Sequence, residues 1–184
     1  MTELESLIKA YGRHIALPWQ RGLAGPQKVL FAVYRKEDEL RLRTRLGEFE
    51  IATKEAVHGW LHLDVTDFFP AWISANAFRD SYFEEPELLD DTALRGFKEY
   101  TCDRIRQKLE DSTADDDTVL ALSGIGSLFG FLHVRDVVEG VEDAIRGRLL
   151  VLFPGSHAEN SYRLLDAREG WNYLAVPILA EFGR

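Results

Sequence analysis

The stretch RLLVLF at residues 148–153 decides the fold class of this chain. Five apolar side chains follow Arg148 without a polar interruption, and Pro154 and Gly155 come directly after them. An apolar run of this length, followed by turn residues, predicts a β-strand that is buried on both faces. Such strands belong to parallel sheets that carry helices on each side. We therefore expect a central strand here that ends at Pro154 and Gly155.

Other strand-like and helix-like segments alternate on either side of this strand. Short apolar runs predict further strands at residues 29–34, 61–65 and 118–122. Apolar residues at steps of three and four predict helices at residues 4–15, 37–58, 94–109, 128–132 and 134–145. Gly59 is the expected end of the second of these helices. Two short strands, near residues 162–165 and 172–177, are expected to form a hairpin-like end of the sheet.

This alternation predicts an α/β fold, a three-layer sandwich with a mainly parallel central sheet and an antiparallel C-terminal edge. The chain has 184 residues, a length that suits one hydrophobic core, and it contains no linker or internal repeat. We therefore expect a single α/β domain over residues 1–184.

The composition points to a cytoplasmic protein. No apolar run approaches the roughly 20 residues that a membrane-spanning helix needs. The first residues lack the basic and then apolar layout of a secretory signal. The one cysteine, Cys102, has no second thiol with which to form a disulfide or a metal site, and it is expected to be buried.

Charge is distributed unevenly along the chain. Residues 84–117 hold twelve acidic and five basic side chains, so this segment carries a charge of −7 out of the −9 of the whole chain. Such a surface repels nucleic-acid phosphates, so direct nucleic-acid binding is not expected. Asp115, Asp116 and Asp117 are predicted to face solvent.

A glycine-rich loop, SGIGS at residues 123–127, directly follows the third predicted strand. Glycines at this place let backbone amides approach an anion at a helix N-terminus. A P-loop requires a lysine and then Ser or Thr after its second glycine, but Gly126 is followed by Ser127 and Leu128. The dinucleotide fingerprint also fails, because Phe129 occupies the position of its third glycine. The first interpretation is a structural strand-to-helix turn, and the alternatives are a protein-contact loop and a nucleotide site.

The segment RLLDAREGWNY at residues 163–173 combines hydrogen-bonding side chains with aromatic ones. Arginine, tryptophan and tyrosine are the usual anchors of protein interfaces. One interpretation is an edge hairpin in which Asp166 pairs with Arg163 or Arg168 while Trp171 covers the core. The other interpretation adds a docking role to this hairpin.

Templates for catalysis and metal binding find no match in the sequence. None of the five histidines has metal-ligand spacing to a cysteine or a neighbouring carboxylate. His58 and His62 are four residues apart, but Gly59 breaks the helical face that they would need. No G-x-S-x-G elbow marks a nucleophilic serine. We therefore expect no enzymatic activity, no cofactor and no metal.

Several segments resemble the BrxB family. The run VLALSGIGSLFGF at residues 119–131 and the run GRLLVLFPG at residues 147–155 resemble the hallmark segments of that family. The tail is also similar, and its matching pieces are YRLLDA at 162–167, GWNY at 170–173 and PI at 177–178. The order of these segments and the distances between them agree with the family. The resemblance covers residues 118–178 most specifically and is weaker upstream, where VY at 33–34 and EDEL at 37–40 fit the start of the family.

The resemblance implies membership of a BREX phage-exclusion system, alongside a large ATPase, a DNA methyltransferase and the alkaline-phosphatase-like protein PglZ. It carries no catalytic residues to this chain. The expected function is a non-catalytic assembly or adaptor subunit that docks onto other BREX proteins such as PglZ. The alternative is a degenerate P-loop-like domain that binds a nucleotide or nucleic acid in the same system. The candidate protein-contact residues are Ser123, Gly124, Gly126, Ser127, Arg163, Asp166, Arg168, Trp171, Asn172 and Tyr173.

Overall fold

A computed structural model describes residues 1–111, 113–168 and 170–181 of the chain. These residues form a mixed sheet, mostly parallel at its centre, that is flanked by helices. The strands are β1 (Val29–Tyr34), β2 (Gly59–Asp64), β3 (Thr118–Ser123), β4 (Arg148–Ala158), β5 (Ser161–Leu164), β6 (Trp171–Asn172) and β7 (Val176–Ile178). The α-helices are α1 (Glu3–Ile15), α2 (Glu39–Thr44), α3 (Leu46–Glu55), α4 (Phe68–Ala75), α5 (Arg79–Glu84), α6 (Asp91–Leu109) and α7 (Val134–Glu139). Short 3₁₀ helices lie at Gly25–Lys28, Lys36–Asp38, Pro86–Leu88, Ile125–Leu128 and Glu142–Ala144.

Five parallel strands make up the central sheet, in the order β2-β3-β4-β1-β7. The predicted central strand β4 lies between β3 and β1, and its Val151 is the register partner of Phe31 in β1. The antiparallel part begins at the end of β4, where β5 pairs with β4 and β6 pairs with β5. The predicted α/β class is therefore confirmed, with its mainly parallel centre and antiparallel edge.

Side chains of the central strands feed two hydrophobic cores, one on each face of the sheet. In β1, Phe31 points into a core that also holds Phe97 of α6 and Val137 of α7. The alternate residue Leu30 points into a second core with Tyr11 of α1 and Phe49 of α3. Because successive strand residues face opposite sides, a sheet with apolar residues at every position requires a layer of helices on each face. This is the predicted three-layer sandwich.

The fourth strand runs further than the sequence predicts. Pro154 still pairs with Tyr34 of β1, and from Gly155 onward the same strand pairs with β5. A side chain at Gly155 would overlap the carbonyl oxygen of Arg163 in β5. The prediction that Pro154 and Gly155 end the strand is wrong, because the glycine permits the close approach of β5 and does not interrupt the pairing.

The predicted helix over residues 37–58 is broken into two. Arg45 has φ −110° and ψ 10°, so α2 ends before it and α3 begins after it. Gly59 does not end α3 but begins β2, where a Cβ atom would lie 2.7 Å from Oγ1 of Thr118. Glycine is therefore needed for the close approach of β2 to β3. The chain turns before it at Val57, which has φ 65°.

The predictions for residues 128–132 and 172–177 also need correction. Leu128 ends the 3₁₀ helix Ile125–Leu128, and residues 129–131 form a turn instead of a helix, because Gly130 adopts a left-handed conformation with φ 83°. The predicted strand over 172–177 is split into β6 and β7, and β7 pairs with β1 in parallel. The buried Tyr173 and Ala175 lie between the two strands and carry the chain from the hairpin back to the sheet.

Candidate docking surface

The two predicted contact segments lie next to each other at one edge of the sheet. Because β3 and β4 are parallel, the loop at 123–127 and the start of the β4–β5 pairing are both at the carboxyl edge. A Cβ atom at Gly126 would lie 3.5 Å from Cγ of Pro154 and 3.6 Å from Cδ2 of Leu165. The structure therefore brings the glycine-rich loop against the tail segment, although about 40 residues separate them along the chain.

The loop at 123–127 is held by its own contacts. Gly124 adopts φ 75°, and a Cβ atom there would lie 2.5 Å from Oδ1 of Asp64 and 2.8 Å from the amide nitrogen of Thr66. The hydroxyl of Ser127 donates to the carbonyl oxygen of Gly124 at 2.7 Å. Ser123 and Gly124 are buried, whereas Gly126 and Ser127 are half-buried. The first interpretation, a structural turn, agrees with this geometry, and the nearby Asp64 carboxylate opposes the binding of a phosphate at the loop.

Ser123 also forms a pair with a histidine that the sequence did not connect to it. His62 Nε2 lies 2.8 Å from the hydroxyl oxygen of Ser123, since the two residues sit on the neighbouring strands β2 and β3. Burial lowers the pKa of His62 below its usual value, so the imidazole is neutral at pH 7. A serine beside a neutral histidine has the composition of an activated nucleophile. Ser123 is, however, only 4% exposed, which leaves a substrate no approach to its hydroxyl in this structure.

A groove of about 570 Å³ opens beside the loop, between the first turns of α6, residues 129–133 and the β5–β6 segment. We call it the α6 groove. Its apolar lining comes from Leu94, Phe129, Phe131, Leu132, Leu164, Ala167 and Trp171. Its polar lining comes from Asp91, Arg95, Lys98, His133 and Asp136. An apolar concavity with charged groups of both signs around it has the composition of a site for protein contacts.

The aromatic side chains of the α6 groove are fixed by the core beneath them. The ring of Phe131 stacks on that of Phe69 at a centroid distance of 3.8 Å. Trp171 packs edge-on against Phe31 at 5.7 Å and lies 5.3 Å from the ring of Tyr162. Phe129, in contrast, is 46% exposed. The groove therefore combines anchored aromatic walls with one large apolar side chain that is open to a partner.

Helix α6 supplies the opposite wall of the groove, and the start of this helix is capped. The Asp90 carboxylate accepts hydrogen bonds from the backbone amides of Thr92 and Ala93, both at 2.9 Å. This N-cap fixes the first turns, from which Leu94 and Arg95 face the groove. The pattern of the sequence does not predict that this helix lines a groove together with the tail. The groove brings together segments about 70 residues apart. Periodicity indicates which face of a helix is apolar but not which segment lies opposite that face.

Some candidate contact residues of the tail pack against the core, and the others are exposed to solvent. Trp171 covers the core as expected, and Tyr173 is 8% exposed with its hydroxyl donating to the Glu142 carboxylate at 2.6 Å. Burial, together with this carboxylate, raises the pKa of Tyr173 far above its usual value. The exposed members of the candidate set are Arg163, Asp166, Arg168 and Asn172.

The ion pair at Asp166 differs from the prediction. Its carboxylate pairs with Lys36, at the end of β1, and not with Arg163 or Arg168. The hairpin lies over the carboxyl edge of the sheet, and this position brings Asp166 to Lys36, which begins the 3₁₀ helix after β1. Neighbours along the chain could not reveal this partner.

Comparison with known proteins gives no indication of the function. The chain matches no protein-family model, no curated protein and no solved structure. Over the described ranges, no group of three or more His, Cys, Asp or Glu side chains could hold a metal ion. Among those same residues no helix is both long and apolar enough to cross a membrane.

Two expectations about charged and thiol groups are confirmed. Asp115, Asp116 and Asp117 are exposed, and Asp116 accepts a hydrogen bond from Arg146 at 3.0 Å. Cys102 is buried at 8% exposure. The aspartate run therefore lies in solvent just before β3, at the amino edge of the sheet, opposite the edge that carries the contact segments.

Proposed function

We propose that this chain is a non-catalytic adaptor subunit of a BREX-type phage-exclusion assembly. It docks through the α6 groove onto the PglZ-type subunit, and the large ATPase and the methyltransferase are the other candidate partners. The proposal rests on the BrxB resemblance of residues 118–178 and on the nature of the surface that these residues build. A cytoplasmic location belongs to the same proposal.

One observation carries the proposal. The α6 groove is lined by residues 129–131 and by Leu164, Ala167 and Trp171, which come from three of the segments that resemble the BrxB family, 119–131, 162–167 and 170–173. Segments that are distant in sequence thus supply adjoining walls of one concave surface. One binding partner can therefore contact all of these segments at the same time.

The lining of the groove suits an apolar anchor with charged neighbours. A volume of about 570 Å³ accepts one or two large side chains from a partner. Binding energy at protein interfaces is concentrated where aromatic groups fill such concavities. Arg95, Lys98 and Asp136 at the same groove offer charges of both signs that set the orientation of the partner.

The non-catalytic part of the proposal is supported by the surroundings of Ser123. Its hydroxyl and His62 form the pair that most resembles a catalytic dyad, yet Ser123 is buried. Both groups also have clear structural roles, since they join β2 to β3 at the turn packed on Thr66. A hydrogen bond between neighbouring strands accounts for the pair without any substrate.

The test replaces the exposed aromatic of the groove. Phe129→Asp should reduce recovery of a co-expressed PglZ-type subunit by at least about tenfold, because a carboxylate cannot enter an apolar contact. Protection against phage should fall in parallel. Phe129 is 46% exposed, so the substitution leaves the core intact, and a thermal unfolding scan verifies this.

The matched control is Ile51→Asp. Ile51 is 57% exposed on α3, which covers the opposite face of the sheet, so the control makes the same change of charge away from the groove. It should leave recovery and protection unchanged. If Phe129→Asp retains both, or if deletion of the gene leaves protection intact, the adaptor proposal is wrong.

A further inference from the structure

The chain leaves two neighbouring strands of the central sheet toward opposite faces. After β1 it enters α2 and α3, whose Leu42 and Phe49 lie in the core with Tyr11. After β4 it enters β5, whose Tyr162 lies in the core on the other face. A crevice forms outside the carboxyl ends of two such adjacent strands, and open α/β sheets generally bind their ligands there. The ends of β1 and β4 are therefore the place in this sheet where such a crevice is expected.

A cleft of about 410 Å³ lies at this position, within the range of about 300–1,000 Å³ that small-molecule sites occupy. We call it the β1–β4 cleft. It is lined by Arg35, Lys36 and Glu37 after β1, by Gly155 and Ser156 of β4, and by Arg163, Leu165 and Asp166 of the hairpin. It is separate from the loop at 123–127 and from the apolar part of the α6 groove. Ala167 lines both the cleft and the groove, so the 164–167 turn is their common wall.

Three cationic side chains converge on this cleft in a chain whose net charge is −9. Arg35 is held by the Glu3 carboxylate at 2.8 Å and by Asp38 at 3.3 Å. Arg163 is exposed on β5. The ammonium of Lys36 pairs with the Asp166 carboxylate.

Among the described residues, Glu37 and Asp166 bring carboxylates to the cleft, and Asp166 is the one that pairs with Lys36. Its side chain is 75% exposed, so solvent competes with the pair and the pair is weak. An external anion with more than one negative charge can therefore replace this carboxylate at little cost.

We propose that the β1–β4 cleft binds a small phosphate-bearing molecule. Lys36 and Arg163 hold the phosphate oxygens, Ser156 offers a hydroxyl donor, and the carboxylate of Asp166 is an internal competitor that the ligand displaces. The proposal is independent of the docking function, because it uses a different cavity. Arginine and lysine together provide the forked and point-like donors that phosphate groups favour.

The experiment measures pyrophosphate binding to the full chain by titration calorimetry at low ionic strength. Lys36→Gln should weaken binding by about tenfold or more, because it removes the central cation. Asp166→Asn should strengthen binding about two- to fivefold, which is the range that the loss of an exposed competing ion pair allows. If the two substitutions acted only by destabilising the protein, both would weaken pyrophosphate binding, so opposite effects would exclude that explanation.

Lys54 and Glu50 form the matched control, since they make an exposed ion pair on α3 at 2.5 Å, away from the cleft. Lys54→Gln and Glu50→Gln change the net charge by the same amounts and should leave pyrophosphate binding unchanged. ATP, titrated in the same series, should bind with the same ranking if the cleft also accepts an organic group.

Two results would overturn the proposal. One is an equal effect of the Lys36 and Lys54 substitutions, which would mean that only net charge matters. The other is the absence of binding to both the unmodified chain and the Asp166→Asn variant up to about 10 mM pyrophosphate, a limit that corresponds to less than about 3 kcal/mol.

Discussion

Gly124 illustrates how one residue without a side chain fixes the turn at the carboxyl edge. Its φ of 75° lies in the left-handed region, which costs other residues about 1–2 kcal/mol. The same position is also crowded, because the β2–α4 turn approaches it through Asp64 and Thr66. Backbone conformation and close approach therefore act at one site, and the two effects can be separated by experiment.

Gly124→Ala should lower the free energy of unfolding by about 3 kcal/mol, the sum of the backbone cost and a steric cost of about 1–3 kcal/mol. The steric part arises because the new Cβ would lie 2.8 Å from the amide nitrogen of Thr66. Urea denaturation followed by circular dichroism measures the change.

Gly22→Ala is the control for this substitution. Gly22 has the same φ of 75°, and no atom lies within 4 Å of the position that its Cβ would occupy. Only the backbone cost of about 1–2 kcal/mol is expected there. Equal losses at the two glycines would show that the contact with Thr66 contributes nothing.

At the scale of elements, helices α1 and α3 are joined by a buried pair of hydroxyl groups. The hydroxyls of Tyr11 and Thr53 lie 2.6 Å apart, and both residues are fully buried. The Thr53 hydroxyl also donates to the carbonyl oxygen of Phe49 at 2.7 Å. The Tyr11 hydroxyl therefore donates to Thr53, whose own proton is engaged within α3.

A double-mutant cycle tests this pair. Tyr11→Phe should cost about 1 kcal/mol, because the Thr53 hydroxyl keeps its bond to Phe49. Thr53→Val should cost about 2 kcal/mol, because it leaves the Tyr11 hydroxyl buried without an acceptor. The double variant should be less destabilised than the sum of the two single changes. Strict additivity, measured by urea denaturation, would contradict the hydrogen bond between the helices.

The elements differ in how far the sequence predicts them. Residues 29–34 form a strand with the predicted bounds, since an apolar run between turn residues has few other structures open to it. The helix break at Arg45 and the strand start at Gly59 do not follow from the sequence pattern, because both depend on tertiary packing. The sequence pattern predicts a strand end at Gly155, whereas the role of this glycine depends on the approach of β5.

The candidate surface was predicted in part. The loop at 123–127 and the tail at 163–173 were each identified, and the structure places them side by side. The contribution of α6 to the groove and the pair of Lys36 with Asp166 were not predicted. Both join segments that are far apart in sequence, and only the three-dimensional arrangement of the sheet brings them together.

At the scale of the whole molecule, half-buried histidines and paired carboxylates set the response to pH. Burial lowers the pKa values of His62 and His157, and burial together with Arg148 lowers that of His14. Hydrogen bonds lower the pKa values of two carboxyls, from Arg45 to Glu48 and from Arg106 to Asp143. Each of these groups binds a proton more readily in the unfolded chain than in the folded one.

The sign of the pH dependence follows from this difference. A group that binds protons more readily when unfolded destabilises the fold as the pH decreases. The histidine contribution is fully present above the unfolded histidine pKa of about 6.5 and is lost as the pH falls through the lowered folded values. The carboxyl contribution follows the same course from about pH 4 downward.

We therefore expect the urea midpoint to be constant between about pH 7.5 and 8.5 and to decrease steadily below about pH 6.5, where the unfolded histidines take up protons. His62→Gln should make the decrease between about pH 6.5 and 5 shallower, because the variant lacks one of the groups that gain a proton on unfolding. The glutamine keeps a polar group near Ser123, so the fold should persist at pH 8. A midpoint that rises on acidification, or a slope that His62→Gln leaves unchanged, would mean that the burial of His62 does not contribute to the pH dependence.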